Sequence, residues 1–138
     1  MLRKLIRKRE YKLWLRVCRH VRSKYTMIDV EAGNGMFNFR CHDNAVQFAK
    51  THEGYGIAEV LYIDHEQAYL HYVNTKDGKF IDNTLGWRAN HLEYYRIRDI
   101  HPSDYNQIGA EFNRGLDDWT EQFTRWFDRK LLRIKRIV

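Results

Sequence analysis

Apolar residues recur at Leu2, Leu5, Ile6, Leu13, Val17 and Val21, close to helical spacing, with Arg and Lys filling the positions between. This predicts an amphipathic helix over about residues 2–24. Next, "YTMIDVEAGNGMFNF" reads as a short extended piece and a Gly/Asn loop, in which Gly33 and Gly35 let the chain turn tightly before Cys41. Cys41, Ala45, Phe48, Ala49 and His52 then share one helical face, and Gly54 supplies a stop. "IAEVLYI" (57–63) and "AYLHYVN" (68–74) are β-branched and aromatic runs split by a polar "DHEQ", the pattern of a hairpin. "NTKDGKFIDN" adds a second turn and a third strand, and "LEYYRIRDI" (92–100) a fourth. Ile108, Phe112, Leu116, Trp119, Phe123, Trp126 and Phe127 predict a closing helix, broken or kinked near Gly109 or Gly115.

The fold class expected is therefore α+β: a helix opened by Cys41, a three- to four-stranded antiparallel meander after it, and basic amphipathic helices at both termini. One domain over 1–138 accounts for the length, with its core at about 27–100 and flanking helices at about 2–24 and 104–137. At 43% hydrophobic and 14% aromatic residues, with a single proline, the chain has ample core-forming material and no sign of an extended linker.

Charge is divided unevenly. Residues 1–24 carry ten Lys or Arg against one Glu, and residues 129–138 carry five against none, so a body with net negative charge lies between basic ends. The candidate anionic-surface residues are Arg3, Lys4, Arg7, Lys8, Arg9, Lys12, Arg16, Arg129, Lys130, Arg133, Lys135 and Arg136. Three uses fit them: docking on the acidic body, nucleic acid held through its phosphates, or an anionic membrane surface with Leu13 and Trp14 dipping into it. Charges interrupt every apolar stretch, so neither a secretion signal nor a membrane span is expected. Two cysteines in unrelated contexts favour free thiols and the cytoplasm. The histidine spacings match no zinc pattern, and no metal or other cofactor is expected.

The candidate chemistry comes from hairpin register. A four-residue loop Thr75–Gly78 places His71 opposite Asp82 on one sheet face; a two-residue Asp77-Gly78 loop leaves them diagonal but still sharing a face; a three-residue loop separates them. A thiol at a helix N-terminus beside an imidazolium ionises near neutral pH. His71 would take the Cys41 proton and return it to a leaving amine, and Asp82 would hold the imidazole tautomer. Backbone N–H groups opening the helix, with the Asn38 amide as a second donor, are the candidate oxyanion site. The ordinary alternatives are a buried structural cysteine, a strand histidine satisfied by a neighbour, and an aspartate that forms a turn.

The order of a cysteine opening a helix, a histidine in "YLHYV" and an aspartate in "GKFIDNTLG" resembles the transglutaminase-like superfamily of papain-type cysteine enzymes, most nearly the bacterial transglutaminase-like cysteine proteinases. The likeness covers about residues 37–87 and implies Cys41 as nucleophile, His71 as base and Asp82 as orienting acid. It implies no calcium site, because His42 stands where an acidic residue is expected. The expected activity is peptide or amide hydrolysis through a thioester, with a protein or peptide as substrate. Deamidation or cross-linking of glutamine would use the same intermediate. The alternative is an inactive member of that fold which binds nucleic acid, an acidic protein or an anionic membrane through its basic ends.

Overall fold

The computed structural model describes residues 1–138, and its first element is the helix α1 (Leu2–Lys24). At about 1.5 Å per residue this helix is roughly 35 Å long. Leu13, Val17, Cys18 and Val21 bury its second half, whereas Leu2 and Leu5 on the same stripe are exposed. Two short strands follow, β1 (Thr26–Ile28) and β2 (Val30–Ala32), then α2 (Cys41–Thr51), the hairpin β3 (Gly56–Asp64) and β4 (Gln67–Lys76), and β5 (Lys79–Asp82). A 3-10 turn (Gly86–His91) leads to β6 (Glu93–Ile100). A second 3-10 turn (Pro102–Gln107) opens onto α3 (Ile108–Phe123), which is followed by the short α4 (Trp126–Lys130).

The class is α+β, but the sheet is larger and less regular than a four-stranded antiparallel meander. It has six strands in the order β1-β6-β3-β4-β5-β2, and β2 runs parallel to β5. The fourth strand of the expected meander, β6, pairs with β3 rather than β5, because the Gly86–His91 turn carries the chain back across the sheet. Only Asp29 separates β1 on one edge from β2 on the other, so the sheet must curl until its edges approach.

Alternation along the central strands sorts the core. Leu61, Ile63, Ala68 and Leu70 pack with α1, α3 and the end of the chain. Ile57 and Tyr72 pack with Cys41 and Ala45 of α2. Ala58, Val60 and Val73 point the other way, onto Ala89 and Tyr94.

The end of the chain also departs from expectation. The helix α3 runs unbroken through Gly109 and Gly115 and stops at Thr124, and there is no helix to residue 137. Beyond α4 the chain is irregular, with Leu132, Ile134 and Ile137 buried and Arg133, Lys135 and Arg136 exposed. A strand-like alternation of this kind serves a tail laid along a core better than a helix would.

Some of the basic residues hold this tail in place. Arg9 grips Asp128 with two bonds, Nε to Oδ1 at 2.7 Å and a terminal guanidinium nitrogen to Oδ2 at 2.9 Å, and the Arg125 N–H adds a third at 2.9 Å. Arg129 donates to the Thr124 carbonyl at 2.8 Å and so closes the end of α3. Asp128 is fully buried, and Asp128→Ala would strand the Arg9 guanidinium in a partly buried site. The expected cost is about 3 kcal/mol, read as a lowered urea midpoint together with faster amide exchange in residues 126–138.

Candidate active site

Cys41 is the first residue of α2, and the segment before it prepares the turn. Asn38 Oδ1 accepts the Arg40 N–H at 3.1 Å, and the Arg40 side chain bonds Asp43 at 2.7 Å, placing a carboxylate at the positive end of the helix. One turn deeper, Asn74 of β4 donates to the Ala45 carbonyl at 2.8 Å. Asn83 in turn donates to Asn74 Oδ1 at 3.0 Å. This buried amide relay fixes α2 against the hairpin and so fixes where the thiol lies.

The hairpin between β4 and β5 takes the two-residue form. Asp77 (φ 52°) and Gly78 (φ 76°) are both left-handed, as a type I′ turn requires. Thr75 then pairs with Phe80 and Asn74 with Ile81, so His71 and Asp82 are diagonal rather than opposite. They share a face and meet, with His71 Nε2 2.8 Å from Asp82 Oδ2 and both residues buried. Nδ1 is thereby the imidazole nitrogen left for Cys41.

Asp82 is held from every side. Its Oδ2 also accepts the Tyr94 hydroxyl at 2.7 Å, and its Oδ1 accepts the N–H groups of Thr84 at 2.8 Å and Leu85 at 2.9 Å. Burial alone would raise this carboxyl, yet the His71, backbone and Tyr94 bonds hold it down at about 2. For His71, burial disfavours the charged ring, but Asp82 and Cys41 outweigh it and push the imidazole up to about 10. Burial likewise works against the Cys41 thiolate. Interaction with His42 and His71, together with the Tyr72 N–H, overcomes it and draws the thiol down to about 6. Between those values the pair stands as thiolate and imidazolium, the form needed for attack on a carbonyl. Cys18, buried in α1, is instead pushed up by its burial.

Tyr62 meets the His71 ring edge-on, with centroids 5.1 Å apart, and fixes its plane. Leaving the loop after β2, the N–H groups of Met36 and Phe37 both donate to the Thr84 carbonyl. Gly35 pairs with Leu85 there, and a Cβ on Gly86 (φ 55°) would lie 2.8 Å from the Gly35 Cα. Glycine at 86 is therefore required both by its backbone angle and by the approach of the two loops. That crossing brings Phe37 and Phe39 beside Cys41, at the mouth of a cavity of about 330 Å³ that His71 also lines.

Of the candidate oxyanion donors, the Asn38 amide lies away from the cavity. Asn38 is exposed and does not line that cavity; its side chain is occupied by the Arg40 N–H and by Asn44, whose Nδ2 donates to Asn38 Oδ1 at 2.9 Å. The first-turn N–H groups of α2, including that of Cys41, have no carbonyl one turn earlier and are the donors that remain.

Sequence reasoning missed four contributors: His42, Tyr94 and the Asn74–Asn83 relay. The position of His42 next to the cysteine was the only available signal for it. Tyr94 lies on a strand far from Asp82 in sequence and gave none.

The anionic-surface candidates fall into two groups. Arg9 and Arg129 are internal ties. Arg3, Lys4, Arg7, Lys8, Lys12, Arg16, Lys130, Arg133, Lys135 and Arg136 are exposed, and Arg136 also reaches Asn113 at 3.4 Å and lines the cavity. Leu13 is buried in the core and cannot enter a membrane, which overturns that part of the expectation. No group of side chains is arranged to hold a metal ion, and no helix is long and apolar enough to cross a membrane. Comparisons of the chain with protein-family models, with curated proteins and with solved structures found no match.

Proposed function

We propose that this chain is a cysteine hydrolase of transglutaminase-like type that cleaves a peptide or related amide bond through a thioester on Cys41. One observation carries the reading: a buried Asp82–His71 bond of 2.8 Å beside a helix-opening thiol drawn down to about 6. In this scheme the Cys41 thiolate attacks the carbonyl carbon, and first-turn N–H groups of α2 receive the oxyanion. His71 gives its proton to the departing amine as the C–N bond breaks, leaving the acyl group on sulfur. Water then attacks the thioester, His71 takes its proton, and the acid leaves as Cys41 is restored. Asp82 keeps the imidazole oriented and stabilises its charged form.

The test is labelling with a peptide vinyl sulfone, which adds the thiolate across its double bond. Folded protein should be labelled at Cys41 and not at Cys18, and His71→Ala should lose the label while keeping its far-UV spectrum. Labelling that treats both cysteines alike, or that survives His71→Ala, would refute the reading.

A second role, compatible with the first, is attachment to an anionic membrane surface. It is supported by the exposed basic residues of α1 and by the exposed Leu2, Leu5, Trp126, Phe127 and Leu131, a mix of aliphatic and aromatic groups that a bilayer interface takes together with basic charge. Arg9 and Asp128 tie these two stretches together. Sedimentation with phosphatidylserine vesicles but not with phosphatidylcholine vesicles, abolished by Arg7→Glu with Lys8→Glu, is the expected result.

A further inference from the structure

The cavity beside Cys41 is walled mainly by apolar groups, ten of its fourteen lining residues being hydrophobic. Tyr69, Leu70, Phe112 and Leu116 form its depth, and Phe37 and Phe39 stand at its mouth. Tyr69 stacks on Tyr62 at 5.0 Å and Phe112 packs over His42 at 5.5 Å, so the walls are braced by aromatic contacts that continue to the two histidines flanking the thiol. Of the polar groups that line it, the Tyr62 and Tyr69 hydroxyls bond no other side chain, and three others have partners in the protein. The Thr84 hydroxyl receives the Asn44 amide at 3.0 Å, Arg88 is paired with Asp64 at 3.1 Å, and Arg136 lies 3.4 Å from Asn113.

The mouth is unusual in two independent ways. Phe39 is 97% exposed, with its ring in water beside the cavity. Phe37 and Phe39 also both have left-handed backbone (φ 49° and 56°), a conformation that aromatic residues avoid. Strain of this kind persists where the surroundings enforce it: the bonds from Met36 and Phe37 to the Thr84 carbonyl hold Phe37, and the Arg40 N–H bond to Asn38 Oδ1 spans Phe39. An exposed aromatic ring held over an apolar cavity next to a nucleophile is arranged to close on an apolar group.

We infer that this cavity receives the acyl-side residue of the substrate, and that the preferred substrate is an amide whose acyl group carries a large aromatic or branched apolar side chain, over which Phe39 folds. The inference rests on the hydrolase reading above. At about 330 Å³ the space is near the lower end of about 300–1,000 Å³ for ligand sites and suits one bulky side chain with its adjoining backbone.

Two chloromethyl ketones provide the test: N-acetylphenylalanine chloromethyl ketone and its glycine counterpart. In each, the Cys41 thiolate displaces chloride from the methylene carbon, forming a C–S bond as the C–Cl bond breaks. Alkylation of Cys41 is followed by peptide mass spectrometry, and both rates are divided by the rate with iodoacetamide on the same protein. The phenylalanine reagent is expected to be at least tenfold faster than the glycine reagent, and Phe39→Ala, a change at a solvent-exposed side chain, is expected to reduce that preference at least threefold. If iodoacetamide modifies Cys41 rapidly but the two ketones react alike, or the preference is undiminished in Phe39→Ala, the cavity assignment is wrong and the hydrolase reading stands. If iodoacetamide modifies Cys41 no faster than Cys18, the hydrolase reading fails and takes the substrate assignment with it.

Discussion

Asp82→Ala is expected to destabilise the fold by about 3–5 kcal/mol, the range for removing one partner of a buried charged pair. The size follows from what the side chain holds: the His71 ring, the Tyr94 hydroxyl and two backbone N–H groups would all lose their acceptor in a site without water access to replace it. Against a total stability of about 5–15 kcal/mol for a domain, this is a large share and should lower the urea midpoint sharply. Asp82→Asn retains an acceptor for Thr84 and Leu85 and should recover part of the loss. It cannot stabilise an imidazolium, so it should not recover the reactivity of Cys41.

The acid limb of the stability curve has the same origin. The Asp82 carboxyl is lowered from 3.8 to about 2 in the fold, so its contribution is complete above pH 3.8 and is lost as the pH falls through 2. Cys41, lowered from 9.0 to about 6, contributes fully above pH 9.0 and loses that contribution as the pH falls through 6. His71, raised from 6.5 to about 10, contributes fully below pH 6.5 and loses it as the pH rises through 10. Between pH 6.5 and 9.0 folding moves one proton from thiol to imidazole without net uptake, so this pair gives a flat stability profile there. Urea midpoints measured against pH should show that plateau, and Asp82→Asn should lessen the fall below about pH 4.

His71→Ala has the largest expected effect on chemistry. Without the imidazolium, only the contacts to His42 and the Tyr72 N–H still oppose the burial of Cys41, and its thiol rises from about 6 toward its ordinary value of 9.0. In the limit of 9.0 the thiolate population at pH 6 falls about 500-fold, partly offset by a roughly 20-fold gain in intrinsic nucleophilicity as the thiol becomes more basic. Alkylation by iodoacetamide should therefore slow by up to about 20-fold. Amide cleavage should fall much further, by an additional factor of about 10²–10⁴, because the departing amine also loses its proton donor. Alkylation measured at pH 6 beside peptide cleavage separates the two losses, and equal losses in both would contradict a proton-donating role for His71.

Much of this site was legible because it depends on local pattern. Cys41 opens a helix whose apolar face could be read by spacing, and the Asp77-Gly78 pair restricted the hairpin so that His71 and Asp82 had to share a face in either even-length register. The remainder depends on pairings between distant segments. Strands of three residues such as β1 and β2 carry no readable period, and nothing near Val30 indicates that it pairs in parallel with Phe80. The Gly86–His91 turn that sends β6 to the far side of β3 resembles an ordinary loop in sequence. The expected helix to about residue 137 fails beyond α4, because the Lys and Arg of that stretch conceal the strand-like burial of Leu132 and Ile134. The second-donor role of Asn38 fails for a reason the local sequence does not display: its amide is engaged by Asn44, a residue of α2.

The most direct test of the account is the rate of iodoacetamide modification of Cys41 in the folded wild-type chain as a function of pH, with Cys18 in the same sample as reference. A thiolate held by His71 predicts a midpoint near pH 6 for Cys41, while Cys18 remains slow throughout that range. A Cys41 midpoint that is not lowered, lying at about 8.5 or above where unperturbed cysteines ionise, would contradict the account.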